Sequence, residues 1–365
     1  MQPSPIRNPQ SAIRNRWTRR LVYCLAALAL CAVAGCPRSQ LVLYCAQDKG
    51  FAEGILASFH KETSIEVTPK FDTEADKSVS LYQEIVREQG RPRCDVFWNN
   101  EILATIRLQK QGLLLPYDSP SARPYPDSPN VKAKDHTWHA FATRARVLIV
   151  NTELVPDKDE RPTSLFDLTK EKWKGQAVMA RPQFGTSATQ AACLFQVLGK
   201  EEAEKYYSDL KANGIHIAPG NKDVADWVAA GKTPTGERVA VGVTDTDDAM
   251  GAIKAKKKVA LIFPDKDSKD PKRGTLFIPN TLAILKNASH PEAAKKLVDY
   301  LLSAAVEKKL AEGDSHQIPL NPDVKAKLPE QYPALDKVKK MQVDFEKAAE
   351  LWDEAQAFVT NKFAR

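Results

Sequence analysis

The sequence predicts an α/β protein built as two lobes, with the second inserted in the first. Three observations lead there. From residue 40 onward, short apolar runs alternate with segments whose apolar residues recur every three or four positions, the patterns of strand and amphipathic helix. Repetition of that unit implies a mainly parallel sheet covered on both faces. Extended apolar passages then join one βα-rich block to another, which places lobe 1 at 36–142 plus 276–365 and lobe 2 at 143–275.

The elements follow in order. Leu41–Cys45 is a short apolar strand, and Phe51, Ile55 and Phe59 mark a helix face. Ile65–Phe71 alternates as a strand does. Val79, Tyr82 and Val86 give a second helix, Cys94–Trp98 a third strand, and Ile102, Ile106 and Leu113 a third helix. Five prolines between 116 and 138 interrupt the rhythm. His136 and His139 sit in this passage and read as surface polar residues. Arg146–Asn151 is a buried strand.

The second block continues with helix-like Ser164–Leu168, strand Ala177–Ala180, helices Thr186–Leu198 and Glu201–Asn213, and strand Ile215–Ala218. Helix Asp223–Ala230, strand Val239–Thr244, helix Asp247–Lys256 and strand Val259–Phe263 come next. A charged loop, Pro264–Gly274, precedes apolar Thr275–Leu285. Pro291 then opens a helix with Ala294, Leu297, Val298, Leu301 and Leu302 on one face, since proline fits the first helical turn. A last helix carries Phe345, Ala348, Trp352, Ala355 and Phe358 as a stripe.

Composition narrows the function. Of 365 residues, 43% are hydrophobic and 27% charged, as in a folded soluble chain. The net charge is +7, but residues 1–35 hold five Arg and no acid, so the remainder carries only +2. Bulk charge therefore makes no case for nucleic acid. An Arg-rich start followed by the uncharged run Leu21–Gly35 reads as an export signal, because a spanning helix needs about 20 apolar residues. The run ends in Val33-Ala34-Gly35-Cys36, which resembles a bacterial lipobox. Residues 1–35 are thus expected to be a lipoprotein-type signal peptide, with Cys36 as the lipid attachment site. Of the six cysteines, Cys45, Cys94 and Cys193 remain for the body. Cys45 ends one strand and Cys94 begins another, so as parallel neighbours they would lie about 10 Å or more apart, too far for a disulfide.

Enzyme motifs fail. Gly231-Lys232-Thr233 ends like a phosphate loop, but Asp226 stands where its first glycine belongs. No GxSxG, HExxH or CxxC occurs. Polar groups gather instead after strands: Gln47-Asp48, Asn99-Asn100-Glu101, the helix start Gly185-Thr186-Ser187-Ala188, Asn221, and Asp245, Asp247 and Asp248. Strand C-termini and helix N-termini are where ligands of open α/β sheets bind, although the same residues also serve as helix caps. Closely spaced carboxylates favour a hard metal with oxygen ligands or an organic amine.

Asp95–Glu101 (DVFWNNE), Pro162–Gly175 (PTSLFDL…KWKG) and Phe184–Thr189 (FGTSAT) resemble the bacterial extracellular solute-binding proteins, nearest to their ferric-iron-binding branch. The resemblance covers roughly residues 40–315. It implies the two-lobed type II periplasmic-binding-protein fold, hinge closure on a ligand, and delivery to the permease and ATPase subunits of an ABC importer. It also implies a cleft containing Asp48, Asn100, Glu101, Thr186, Ser187, Ala188, Asn221 and Asp245. The adjacent tyrosines that usually hold iron in this branch fall here on Asp247-Asp248; its histidine falls on Asp48, and its acidic ligand on Asn100, with Glu101 next. Tyr206-Tyr207 lies in another helix, where packing accounts for it.

The expectation is a lipid-anchored, extracytoplasmic, monomeric binding protein, not an enzyme, with no cofactor. Its first ligand is Fe(III), held by Asp247, Asp248 and Glu101 with a synergistic anion at Thr186–Ala188. The rival readings are another cation, a small organic solute, or a sensor or scaffold lipoprotein of the same fold.

Overall fold

The computed structural model describes residues 40–72 and 79–363; the signal segment and Cys36 lie outside them. Strand β1 (Leu41–Cys45) pairs in parallel with β2 (Val67–Phe71) on one side and β3 (Val96–Asn99) on the other. The crossovers are α1 (Lys49–Thr63) and α2 (Val79–Arg87). Helix α1 buries Ala52, Ile55, Leu56 and Phe59, the four-residue spacing seen in the sequence. It stops at Ser64, whose left-handed backbone returns its N–H to the His60 carbonyl. Helix α3 (Leu103–Lys110) and the two-residue strand β4 (Leu114–Leu115) follow.

Strand β5 (Trp138–Asn151) is the spine of the molecule, and all fourteen of its residues are buried. This corrects the sequence reading twice. The strand begins eight residues earlier than Arg146, and His139 belongs to it, only 3% exposed. The Pro-rich passage folds over the strand, and the Tyr117 carbonyl accepts from His139 Nε2 at 2.9 Å. Burial therefore lowers the His139 pKa. Small and polar residues between Ala140 and Ala145 hid the strand from a hydrophobicity pattern.

The second half consists of β6 (Ala177–Ala180), α4 (Gly185–Leu198), α5 (Lys200–Ala212), β7 (His216–Ala218), α6 (Asn221–Ala230), β8 (Val241–Asp245), α7 (Thr246–Lys254) and β9 (Val259–Ile262). Strand β10 (Phe277–Leu285) then returns to the first half, followed by α8 (Pro291–Leu301) and α9 (Ala304–Glu312). The last helix of the sequence reading is two short ones, α10 (Phe345–Glu350) and α11 (Trp352–Phe358), with a π turn at Val359–Phe363.

The strands run in the order β2-β1-β3-β10-β5-β8-β6-β7, with β4 on β10 and β9 on β5. Strand β5 changes partners partway: Trp138–Ala145 pairs with β10, whereas Arg146–Val150 pairs with β8. Two irregularities sit near that exchange. The register with β10 slips between Pro279 and Asn280, where proline has no N–H to give the ladder. Ala142 has φ 38°, an unusual backbone for a residue with a Cβ. The fully buried carboxylate of Glu307 on α9 holds the place, accepting from the backbone N–H groups of Ala142, Leu320 and Asn321.

One apolar cluster fills the first half around Phe59, Trp98, Phe141 and Leu297. Another fills the second around Val147, Ile149, Val178, Val224 and Val228. Gly242 lets α6 lie close to β8, since a Cβ there would meet Val224 at 2.5 Å. Helix α10 packs against both α3 and α4, so the C-terminal segment touches both halves. Cys45, Cys94 and Cys193 are free and buried, and β1 and β3 are the parallel neighbours the sequence suggested.

Candidate functional site

The parallel strands of both halves end at one cleft. Helices α1, α4, α6 and α7 start there, so Asp48, Gly185, Asn221 and Asp247 all line it. The cleft encloses about 430 Å³ with the open solvent at its mouth included. Past Asp48, Asp247 and Asp248 it widens into a groove of about 1190 Å³, walled by Phe51, Lys222, Gly251 and Lys254.

Its floor is built on β5. Arg144 and Arg146 stand two residues apart, hence on the same face, and are 3% and 0% exposed. Every guanidinium nitrogen of Arg146 has a partner. Its Nε donates to Gln190 Oε1 at 2.7 Å, and one terminal nitrogen donates to Asp245 Oδ1 at 2.8 Å and Asn221 Oδ1 at 2.9 Å. Thr186 and Ser187 complete the shell at 3.3 and 3.2 Å. Those partners also bond one another: Thr186 Oγ1 donates to Asp245 Oδ2 at 2.5 Å, and Asn221 Nδ2 to the same oxygen at 3.2 Å. A buried guanidinium needs such pairing to offset its lost hydration.

Arg144 is held more loosely. It donates to Gln47 Oε1 at 2.9 Å and Asn280 Oδ1 at 3.3 Å, residues of the first half. It faces Asp247 of the second half at 3.4 Å. Burial penalises its charge, but the carboxylates of Asp247, Asp245, Asp48 and Asp248 outweigh that and raise its pKa.

The cleft gathers most of the residues expected from sequence. Asp48, Asn100, Thr186, Ser187, Asn221, Asp245, Asp247 and Asp248 all line it. Oxygens of Asp245, Asp247 and Asp248 lie within 4.8 Å of one another, close enough to share a cation. Two expected residues fall elsewhere. Glu101, a proposed metal ligand, is fully buried and does not line the cleft. Its carboxylate accepts from the N–H groups of Leu103 and Ala104, from Asn99 Nδ2 and from Thr189 Oγ1 at 2.7–3.0 Å, and so closes the start of α3. Ala188 is fully buried, and its N–H already bonds the Phe184 carbonyl at 3.1 Å.

Sequence reasoning missed Arg144, Arg146, Arg181 and Phe184, which shape the same cleft or its floor. The available signal was a pair of arginines, two apart, inside an otherwise uncharged run from Ala140 to Asn151. A buried charge is rare without a paired partner.

A family model described as bacterial extracellular solute-binding protein matches residues 103–339. A major ferric iron-binding protein of Neisseria meningitidis is 26% identical over 303 residues, covering 83% of this chain and 87% of that one. The spermidine/putrescine-binding periplasmic protein of Escherichia coli is 25% identical over 317 residues, covering 83% and 84%. Among solved structures, iron-bound HitA from Pseudomonas aeruginosa superposes with a TM-score of 0.75 at 24% identity, covering 88% of this chain and 99% of that one. The periplasmic binding protein AfuA from Actinobacillus pleuropneumoniae, with fructose-6-phosphate bound, gives 0.75 at 22% identity, covering 89% and 98%.

Proposed function

The chain belongs to the bacterial extracellular solute-binding proteins, with their type II periplasmic fold, and from that premise we propose that it captures an oxyanion-bearing ferric complex between its lobes. It is a binding protein, not an enzyme, and sits nearest the ferric-binding branch of the family. One observation carries the ligand reading: a triad of close carboxylates shares its cleft with buried guanidiniums and several helix N-termini. Carboxylate oxygens suit Fe(III), a hard cation, while helix N-termini suit an anion. A metal delivered with its own anion would satisfy both.

In this reading Asp247, Asp248, Asp245 and Asp48 supply the acidic side, with Asn100 and Asn221 at the edges. Glu101 acts instead by fixing the α3 start, and Thr186 and Ser187 by fixing the floor. The lobes are 36–142 plus 276–365 and 143–275, closing about the paired strands β5 and β10. The closed form would dock on the permease of an ABC importer, with Cys36 lipidated to hold the protein at the membrane. Among the described residues no helix is long and apolar enough to cross one.

A second reading has its own support. A structural neighbour is solved with a phosphorylated sugar in place, and guanidiniums recognise phosphate well. Thermal unfolding with Fe(III)-citrate, inorganic phosphate and fructose-6-phosphate separates the two. A ligand at 100-fold its Kd adds about 2.7 kcal/mol. Stabilisation by Fe(III)-citrate together with compaction in solution scattering is the expected result. Stabilisation by fructose-6-phosphate alone would replace the first reading with the second.

A further inference from the structure

We infer that Arg144 is a resident counter-cation that sets the ligand class of the cleft: it occupies the place of a cation beside Asp247, so the site admits a ligand through its anionic groups and excludes a bare metal ion. This rests on the capture reading above and deepens it.

The cleft carries charges of both signs. Four carboxylates line it, from Asp48, Asp245, Asp247 and Asp248. Against them stand Arg144 and Arg181 on the lining and Arg146 just beneath, bonded to Asp245 at 2.8 Å. The starts of α1, α4, α6 and α7 add partial positive charge, about half an elementary charge each. The acidic triad is thus largely neutralised by the protein, and a lone cation entering it would meet the Arg144 guanidinium.

The hydroxyl donors at the α4 start are already engaged: Thr186 Oγ1 donates to Asp245 and Ser187 Oγ to Asn221. Arg146 spends its donors on the same shell. Arg144, which lines the cleft and is only 3% exposed, differs. Its Nε–H has no hydrogen-bond partner among the described residues. A buried, unmatched donor costs about 1–3 kcal/mol; the atom is closed to solvent in this form, and a carboxylate or phosphate oxygen would match it as the Arg144 side chain turns toward the cleft on closure. Because Arg144 also grips Gln47 and Asn280 in one half and Asp247 in the other, an anion bound there would bear on both.

Three forms of the mature-length chain test this: wild type, Arg144→Gln and Arg144→Gln/Asp247→Asn. Titrations use citrate, inorganic phosphate and Fe(III)-citrate by calorimetry, and Tb(III) as a bare hard cation by luminescence. The wild type should bind Fe(III)-citrate or a free anion at least tenfold more tightly than Tb(III). Arg144→Gln should lose at least tenfold in anion affinity and gain at least tenfold for Tb(III). The double variant keeps the buried charges balanced should the single one fail to fold; it should lose the anion without gaining Tb(III). Unchanged anion affinity in either folded variant, or Tb(III) bound by the wild type as tightly as the anionic probes, overturns the inference while leaving capture of iron intact. A wild-type cleft that binds none of the probes overturns both.

Discussion

Arg144 and Arg146 occupy one face of one strand, two residues apart, yet their surroundings differ in kind. Around Arg146 every nitrogen has a partner, and most of those partners bond to one another. Around Arg144 the partners come from both halves, the ion pair is longer, and Nε has no partner among the described residues. The same side chain makes a rigid floor in one case and an adjustable contact in the other. Burial alone therefore does not separate architecture from ligand recognition; completeness of hydrogen bonding does.

The largest expected effect falls on the completed region. Arg146→Met leaves Asp245 buried without its counter-ion, and removing one partner of a buried pair costs about 3–5 kcal/mol. Denaturant unfolding should show that loss in the midpoint, with the m-value unchanged. A variant as stable as the wild type would show that the Arg146 shell is not structural, and the contrast with Arg144 would fail.

Substituting the two aspartates sharpens the contrast. Asp245 Oδ2 accepts from Thr186 and Asn221, while Oδ1 accepts from Arg146. An amide in place of that carboxylate can keep only part of the set, so Asp245→Asn should cost about 2–3 kcal/mol. Asp247 meets Arg144 at 3.4 Å, and Arg144 keeps Gln47 and Asn280 when that charge is removed. Asp247→Asn should therefore cost about 1 kcal/mol or less, and its main effect should be on ligand affinity. Equal losses of stability, read by thermal or urea unfolding, would erase the distinction between the two carboxylates.

The same contrast explains what the sequence could reveal. Short apolar runs exposed β1, β3 and β8, and apolar residues recurring every three or four positions exposed the helices, because burial leaves its mark in the residue types. The positions of Asp48, Asn100, Asn221 and Asp247 were legible because strand ends and helix starts follow from those periods. The first half of β5 was not, since the small and polar residues Ala140, Ala142, Thr143 and Arg144 break the apolar pattern while belonging to a buried strand. Glu101 misled for a related reason. A carboxylate two residues before a helix is equally a ligand and a cap, and only the donors of Leu103, Ala104 and Thr189 decide which. Fold was written in periodicity, whereas the site depended on which buried polar groups had already found partners.

The smallest effect belongs to a third ion pair, which spans the groove from outside. Lys254 on α7 meets Asp314, just past α9, with side chains 62% and 71% exposed. It joins the same two halves that Arg144 joins, but in water. Exposed pairs of this kind contribute about 0–1 kcal/mol, because solvent screens the attraction and both side chains lose rotamer freedom. Lys254→Ala should shift unfolding by less than about 0.5 kcal/mol, and the difference should vanish near 1 M salt, where the screening length falls to about 3 Å. Ligand affinity should follow the same small, salt-sensitive course. A large, salt-independent loss of affinity would mean that closure is held at the rim, and the weight assigned to the buried Arg144 corner would have to move outward to α7 and Asp314.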